Sequence, residues 1–156
     1  MRHGSRTVPA LTVAACALAL GGAAPAPVKP AGTDVTVSVV DIRAAKGSVR
    51  ACLTPDPKAF PKCDGDDRAQ ELAVSADGKS AKLVFRNVRP GTYAISLLHD
   101  ENDNGKIDTA LGMMPKEGYG FSRDAKVSMG PPKFHKAAFE VGEKPVSQTI
   151  RVRYFL

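Results

Sequence analysis

Val35, Val37 and Val39 alternate with Thr36, Ser38 and Val40, the period-two pattern of a strand with one face turned inward. The alternation resumes at Val49, Ala51 and Leu53 beyond Lys46-Gly47, so residues 34–53 are expected to form a hairpin. Residues 71–76 and 79–85 read as two more strands around Asp77-Gly78, a dipeptide suited to the positive φ angles of a tight hairpin turn. Arg89-Pro90-Gly91 supplies the next turn, and Tyr93, Ile95 and Leu97 line one face of a fifth strand. Residues 137–141 and 147–154 resume the β pattern, the latter through Ile150, Val152 and Tyr154.

Helical periodicity is absent throughout, so the pattern predicts an all-β fold. The expected architecture is a sandwich of about seven strands, immunoglobulin-like or transthyretin (prealbumin)-like, with one long ordered loop. That loop is the stretch from His99 to His135, where strand signals fade and Gly, Pro, Asn and Asp recur. Loops of such length inside a compact domain are functional or tied down. Residues 54–68, with three prolines and several acids, read as a second surface loop.

Before the first strand the pattern is of another kind. Arg2, His3 and Arg6 precede an apolar run from Val8 to Leu20, which ends in Gly21-Gly22-Ala23-Ala24-Pro25-Ala26. A basic start, a short apolar stretch and small residues at its exit predict a secretory signal peptide over residues 1–26. Residues 27–33 then form a linker to one domain at 34–156. The expected location is periplasmic or secreted. Val13-Ala14-Ala15-Cys16 offers the alternative of a lipoprotein anchored at Cys16, disfavoured because the apolar run continues to Leu20.

Cysteine usage agrees with export. Beyond Cys16 only Cys52 and Cys63 remain, and an oxidising compartment allows them to pair and pin the 54–68 loop. A zinc site would be half built, since no histidine accompanies them. The whole chain carries a net charge of +6; without residues 1–26, which hold two arginines and no acid, the balance is +4. That is compatible with weak attraction to an anionic polysaccharide or lipid headgroup, and the lysines and arginines lack the clustering of a nucleic-acid-binding surface.

The sharpest chemical pattern is Asp100-Glu101-Asn102-Asp103-Asn104-Gly105-Lys106-Ile107-Asp108. Oxygen-bearing side chains stand at its first, third and fifth places, a glycine at the sixth, an apolar residue at the eighth and a carboxylate at the ninth. This is most of a calcium loop of the EF-hand type, in which a sharp turn lets alternate side chains converge on a hard cation. Asp100, Asn102 and Asn104 would coordinate by side chain, Lys106 by its carbonyl, and Asp108 directly or through water. Leu111 stands where a bidentate Glu normally closes the shell, so Glu117 or Asp124 is needed as the extra ligand. A turn whose Asx side chains cap their own backbone is the competing reading.

A second pattern sets glycines beside aromatics, in Met114-Pro115-Lys116-Glu117-Gly118-Tyr119-Gly120-Phe121-Ser122 and again in Gly130-Pro131-Pro132-Lys133-Phe134. It predicts a loop packed over the sandwich, with an aromatic-lined surface for a sugar or peptide as the alternative. Catalysis has thinner support. Ser122 has no evident partner base, and His135 sits beside lysines without a carboxylate partner. His99 beside Asp100 is the one candidate general base, from which a hydrolase or lyase acting on an envelope polymer through His99, Asp100 and Glu117 can be framed. A transthyretin-like carrier of small ligands would need a deep apolar pocket.

Taken with Val84-Phe85-Arg86-Asn87-Val88-Arg89-Pro90-Gly91-Thr92-Tyr93-Ala94-Ile95 and with Ala137-Ala138-Phe139, these blocks closely resemble the exported bacterial family known as domain of unknown function 2141. The likeness runs in order from residue 34 to residue 154. It implies a periplasmic or secreted β domain without an assigned activity. The Pro-Gly-Thr-Tyr turn also looks like that of carboxypeptidase-regulatory-like and adhesin modules, some of which bind calcium through Asp/Asn-rich loops, an analogy of fold only. His135-Lys136 departs from the acidic or small residues usual at that place in the family. The expectation is a monomeric, non-catalytic envelope module with a weak calcium loop, contacting a polysaccharide, lipid headgroup or protein and no nucleic acid.

Overall fold

The computed structural model describes residues 32–110, 114–128 and 130–156. The expected signal peptide, most of the linker, Cys16 and Leu111 lie outside the described residues. Among the described residues there are ten strands: β1 (Thr33–Val40), β2 (Ser48–Thr54), β3 (Gln70–Ser75), β4 (Ser80–Val88), β5 (Gly91–Asp100), β6 (Thr109–Ala110), β7 (Met114–Pro115), β8 (Gly118–Phe121), β9 (Phe139–Val141) and β10 (Val146–Arg151). A 3₁₀ turn at Ser122–Asp124 and a four-residue helix, α1 (Phe134–Ala137), complete the described elements. The fold is a mostly β sandwich, as the alternation predicts.

One sheet has the order β10-β1-β4 and the other β3-β2-β5-β8, with β9 also pairing with β5. Inward residues come at every second place, as pleating requires. Val35, Val37 and Val39 of β1, with Leu83 and Phe85 of β4 and Ile150 of β10, face Val49, Ala51 and Leu53 of β2 and Tyr93, Ile95 and Leu97 of β5 in one core. Burial holds the Tyr93 hydroxyl above its ordinary pKa.

Neither expected hairpin forms. β1 pairs with β4 and, in parallel, with β10, while β2 pairs with β3 and β5; the chain therefore crosses between sheets after Val40. β3 and β4 likewise belong to different sheets, and Gly78 does not adopt a positive φ. Alternation and turn residues show where the chain reverses, but not which sheet receives the next strand. Inward valines on both strands are satisfied equally by facing across a core and by lying side by side.

The 99–135 stretch also holds a strand that its composition hides. β8 pairs with β5 through Gly118, Tyr119, Gly120 and Phe121, opposite His99, Leu98, Leu97 and Ser96 respectively. Its inward positions are Gly118 and Gly120. A Cβ on Gly118 would lie 2.4 Å from Val152 Cγ1 and Tyr154 Cε1, and one on Gly120 2.5 Å from Ile150 Cγ2. The sheets approach too closely here for any inward side chain, so the strand carries no hydrophobic alternation on that face.

The outer face of the β5–β8 sheet is covered. Phe60, Ala94, Phe121, Ala125 and Ala137 form a second apolar cluster, with Tyr119, Val127 and Phe134 packed against it. Phe60 meets Phe121 and Phe134 edge to face, at centroid distances of 5.7 and 5.9 Å. The Cys52–Cys63 disulfide ties the 55–69 loop to β2, and such a closed loop stabilises by about 3 kcal/mol in the chain-entropy model. Asp66 pins the same loop to the Thr54 hydroxyl at 2.7 Å and the Arg68 N–H at 3.0 Å. Burial pushes the Asp66 carboxyl up, but these donors and the Arg68 charge outweigh it and hold the pKa below the usual range. The Phe60–Pro61 peptide bond is cis.

Ser122 joins the cover to the sheet. Along β5, residues 96–99 pair with β8 and residues 91–93 with β9, so Ile95 falls in the gap. The buried Ser122 hydroxyl accepts the Ile95 N–H at 2.8 Å and donates to the Ala137 carbonyl at 2.6 Å. Its place is that of a missing ladder bond, which accounts for a buried serine in an apolar setting.

Candidate functional site

β1, β5 and β10 end, and β2 and β8 begin, at one end of the sandwich. The 41–47 crossover, the 101–117 loop and the residues after Arg151 therefore meet there. Their hydrogen bonds define the site.

Asp100, the last residue of β5, is fully buried. Its Oδ1 accepts the Asn104 N–H at 3.0 Å and its Oδ2 the Gly105 N–H at 2.7 Å, so the first residue of the pattern folds the loop back on itself. The reversal needs left-handed backbone, supplied at Asp103 (φ 57) and Gly105 (φ 75). Two Asx turns follow. Asn102 Oδ1 accepts the Asn104 N–H at 3.2 Å, and Asn104 Oδ1 accepts the Lys106 N–H at 2.8 Å. The two amide groups then donate to one carboxylate, Asn102 Nδ2 to Asp108 Oδ2 at 2.8 Å and Asn104 Nδ2 to Asp108 Oδ1 at 3.1 Å.

Glu117 closes the loop. It is 3% exposed, and its Oε1 accepts the Glu101 N–H at 3.0 Å while its Oε2 accepts the Asp108 N–H at 2.9 Å. One buried carboxylate thus bridges both ends of the turn, beside the short β6–β7 ladder and the Lys116 N–H bond to the Asp108 carbonyl. Of the two candidates for the extra ligand, Glu117 comes to the loop and Asp124 does not. Asp124 pairs with Arg153 at 2.7 Å.

A second group of residues, which spacing in the sequence does not signal, anchors this end. The Arg43 guanidinium lies 4.4 Å above the Tyr154 ring and donates to Glu101 at 2.5 Å, to the Lys116 carbonyl at 2.8 Å and to the Leu156 carbonyl at 2.5 Å. Glu101 also pairs with Lys46 at 3.2 Å. The Arg43 hydrogen bond holds the Glu101 carboxyl below its ordinary pKa against the opposing effect of burial, and the same bond raises Arg43. Burial pushes the Tyr154 hydroxyl up.

His99 belongs to this anchor. The Lys46 carbonyl, 2.9 Å from Nε2, can only accept, so Nε2 carries the proton; Nδ1 then accepts from the Tyr154 hydroxyl at 2.8 Å. That hydroxyl accepts the Arg43 N–H at 3.0 Å. The ring is wholly buried, and pleating sends His99 and Asp100 to opposite faces of β5. The hydrogen bonds of His99, Asp100 and Glu117 lead to three different sets of partners.

The donor set suits a hard cation in chemistry. Asp100, Asn102, Asn104 and Glu117 present oxygens that each accept a single N–H, leaving a lone pair on each. Asp108 engages both amide groups and thereby fixes which way each Asn oxygen points, the task of an outer-shell carboxylate. Among the described residues no three His, Cys, Asp or Glu side chains converge as a metal cage, so a cation here would depend on amide and carbonyl oxygens as well as on Asp100 and Glu117. Arg50 opposes it, with its guanidinium Nη2 3.8 Å from where a Cβ on Gly105 would stand.

Fold and loop together define a small β-sandwich domain with a self-closed Asx/Gly turn at one end. A family model described as an uncharacterized protein conserved in bacteria (DUF2141) matches residues 37–149, and the chain belongs to that family. No curated protein and no solved structure matches it.

Proposed function

We propose that the chain is an exported, non-catalytic β-sandwich module of the bacterial envelope whose 100–108 loop takes up calcium weakly. Export is supported by the basic, apolar and small-residue succession of residues 1–26 and agrees with the Cys52–Cys63 disulfide. The non-catalytic reading is supported by the employment of each candidate catalytic group elsewhere, His99 in the Tyr154–Lys46 anchor and Ser122 between two strands.

The observation that carries the calcium reading is Glu117, which stands buried across the loop ends where Leu111 left the pattern open. Asp100, Asn102, Asn104, the Lys106 carbonyl and Glu117 would hold the ion, and Asp108 would orient the two amides or bind through water. Only two carboxylates among the ligands and a nearby Arg50 place the affinity in the range of extracellular modules, about 10⁻⁴ to 10⁻³ M. Calorimetric titration of the mature domain with calcium tests this. A millimolar isotherm that is lost in Asp100→Ala is expected, and no heat up to 10 mM calcium, about tenfold above the weakest expected constant, refutes it.

A further inference from the structure

Two surface grooves, of about 570 and 600 Å³, run on either side of α1 and share Phe134 and His135. They lie on the covering layer over the β5–β8 sheet, away from the 100–108 loop. The first is walled by the rings of Pro57, Pro61, Pro131 and Pro132 around Phe60 and Phe134. The second adds Arg123, Phe139 and Gln148.

Basic residues outnumber acidic ones around the first groove, where Asp56 is the acid next to a lining residue in the chain. Lys133 and His135 line it, Lys58 and Lys62 follow the lining prolines directly in the chain, and Lys136 follows His135. All five are exposed, and among the described residues none makes an ion pair. Of the nearby acids, Asp56 is engaged by the Lys58 N–H at 2.8 Å, and Glu140, in the second groove, is held by the Thr92 hydroxyl at 2.6 Å. An occupant matching this surface carries spaced negative charges and offers apolar C–H faces to proline and phenylalanine rings. Four prolines in the wall have no N–H to give a peptide backbone, which counts against an acidic polypeptide. The two open grooves meet at Phe134 and His135, an arrangement that a linear chain can follow.

We propose that this surface binds an anionic polysaccharide, a linear chain of uronate type, through the lysines around Phe134. The proposal supplies a partner for the envelope module and depends on its non-catalytic reading, but not on the calcium loop, none of whose residues line the grooves.

Binding of polygalacturonate to the mature domain tests it by calorimetry and affinity electrophoresis, in 2 mM calcium and again in EDTA, with neutral dextran and poly-glutamate alongside. Expected is salt-sensitive binding to polygalacturonate in both buffers, none to dextran, and a loss of about tenfold or more in the triple variant Lys58→Glu, Lys133→Glu, Lys136→Glu. A control of equal charge change, Lys82→Glu with Lys144→Glu and Arg151→Glu, should lose less than about threefold. Absence of binding at low salt, equal binding of poly-glutamate, or equal losses in the two triple variants overturns the proposal. Binding present only with calcium would instead assign the polymer to the loop and overturn it as well.

Discussion

Two regions of this sandwich, the cover on its outer sheet face and the loop at its end, solve the same problem with different forces. Each must hold an irregular segment rich in Gly, Pro and Asp against a sheet. On the covering layer, Phe60, Phe121 and Phe134 interlock above Ala94, a disulfide fixes the 55–69 loop, and Ser122 fills one missing ladder bond. At the loop end, carboxylates do the holding, with Asp100 and Glu117 taking four backbone N–H groups and Arg43 gathering Glu101, Lys116 and Leu156. An apolar anchor is indifferent to pH and cations, whereas a carboxylate anchor answers to both. Cation response is therefore expected at the loop end, while pH reaches the covering layer through Asp66, whose carboxyl pins the 55–69 loop.

The largest effect should come from the covering layer. Phe60→Ala removes the ring shared by both edge-to-face contacts and should cost about 3–4 kcal/mol in urea unfolding, with amide exchange at Asn104 and Gly105 unchanged. Faster exchange at the loop would show the two regions to be one cooperative unit. Replacing Cys52 and Cys63 by serine should cost about 3 kcal/mol and leave calcium uptake as it was. Glu117→Ala leaves two N–H groups without their acceptor and should cost about 2 kcal/mol, with faster exchange at Glu101 and Asp108 and no change around Phe60.

The smallest effect is the most discriminating. Glu101→Gln should cost about 1 kcal/mol near pH 7, since its partner Arg43 is partly exposed. The folded pKa of Glu101 lies below the ordinary 4.5, so its contribution is complete above that value and disappears as pH falls through the folded pKa. The difference between wild type and variant should be flat from pH 6 to 8 and begin to close only below the ordinary 4.5, vanishing as pH falls through the folded pKa. The Phe60→Ala difference should show no such closure.

Much of the sandwich is legible in the sequence because one face of each long strand is apolar, as with Val35, Val37 and Val39. Pairing is not legible. The strands flanking Lys46-Gly47 and those flanking Asp77-Gly78 look like hairpins and instead face each other across the core, a choice made by long-range packing. β8 escapes notice because its inward residues are glycines, although the outward alternation of Tyr119 and Phe121 is a faint signal. In the loop, local spacing exposes every residue that bonds locally, from Asp100 to Asp108. Glu117 is reachable only as one of two options, and Arg43 and Tyr154 have no short-range signature, since their partners lie dozens of residues away.

A loop closed by Glu117 that takes up a cation should report the ion at its own amides. Residue-resolved NMR of the ¹⁵N-labelled mature domain, titrated with calcium chloride to 10 mM against a magnesium control, tests it most directly. Saturating shifts are expected, confined to the amides of 100–108 and Glu117 and to the Asn102 and Asn104 side-chain amides, with the residues around Phe60 and Phe134 still. Unmoved Asn102 and Asn104 side-chain resonances at saturating calcium would contradict it.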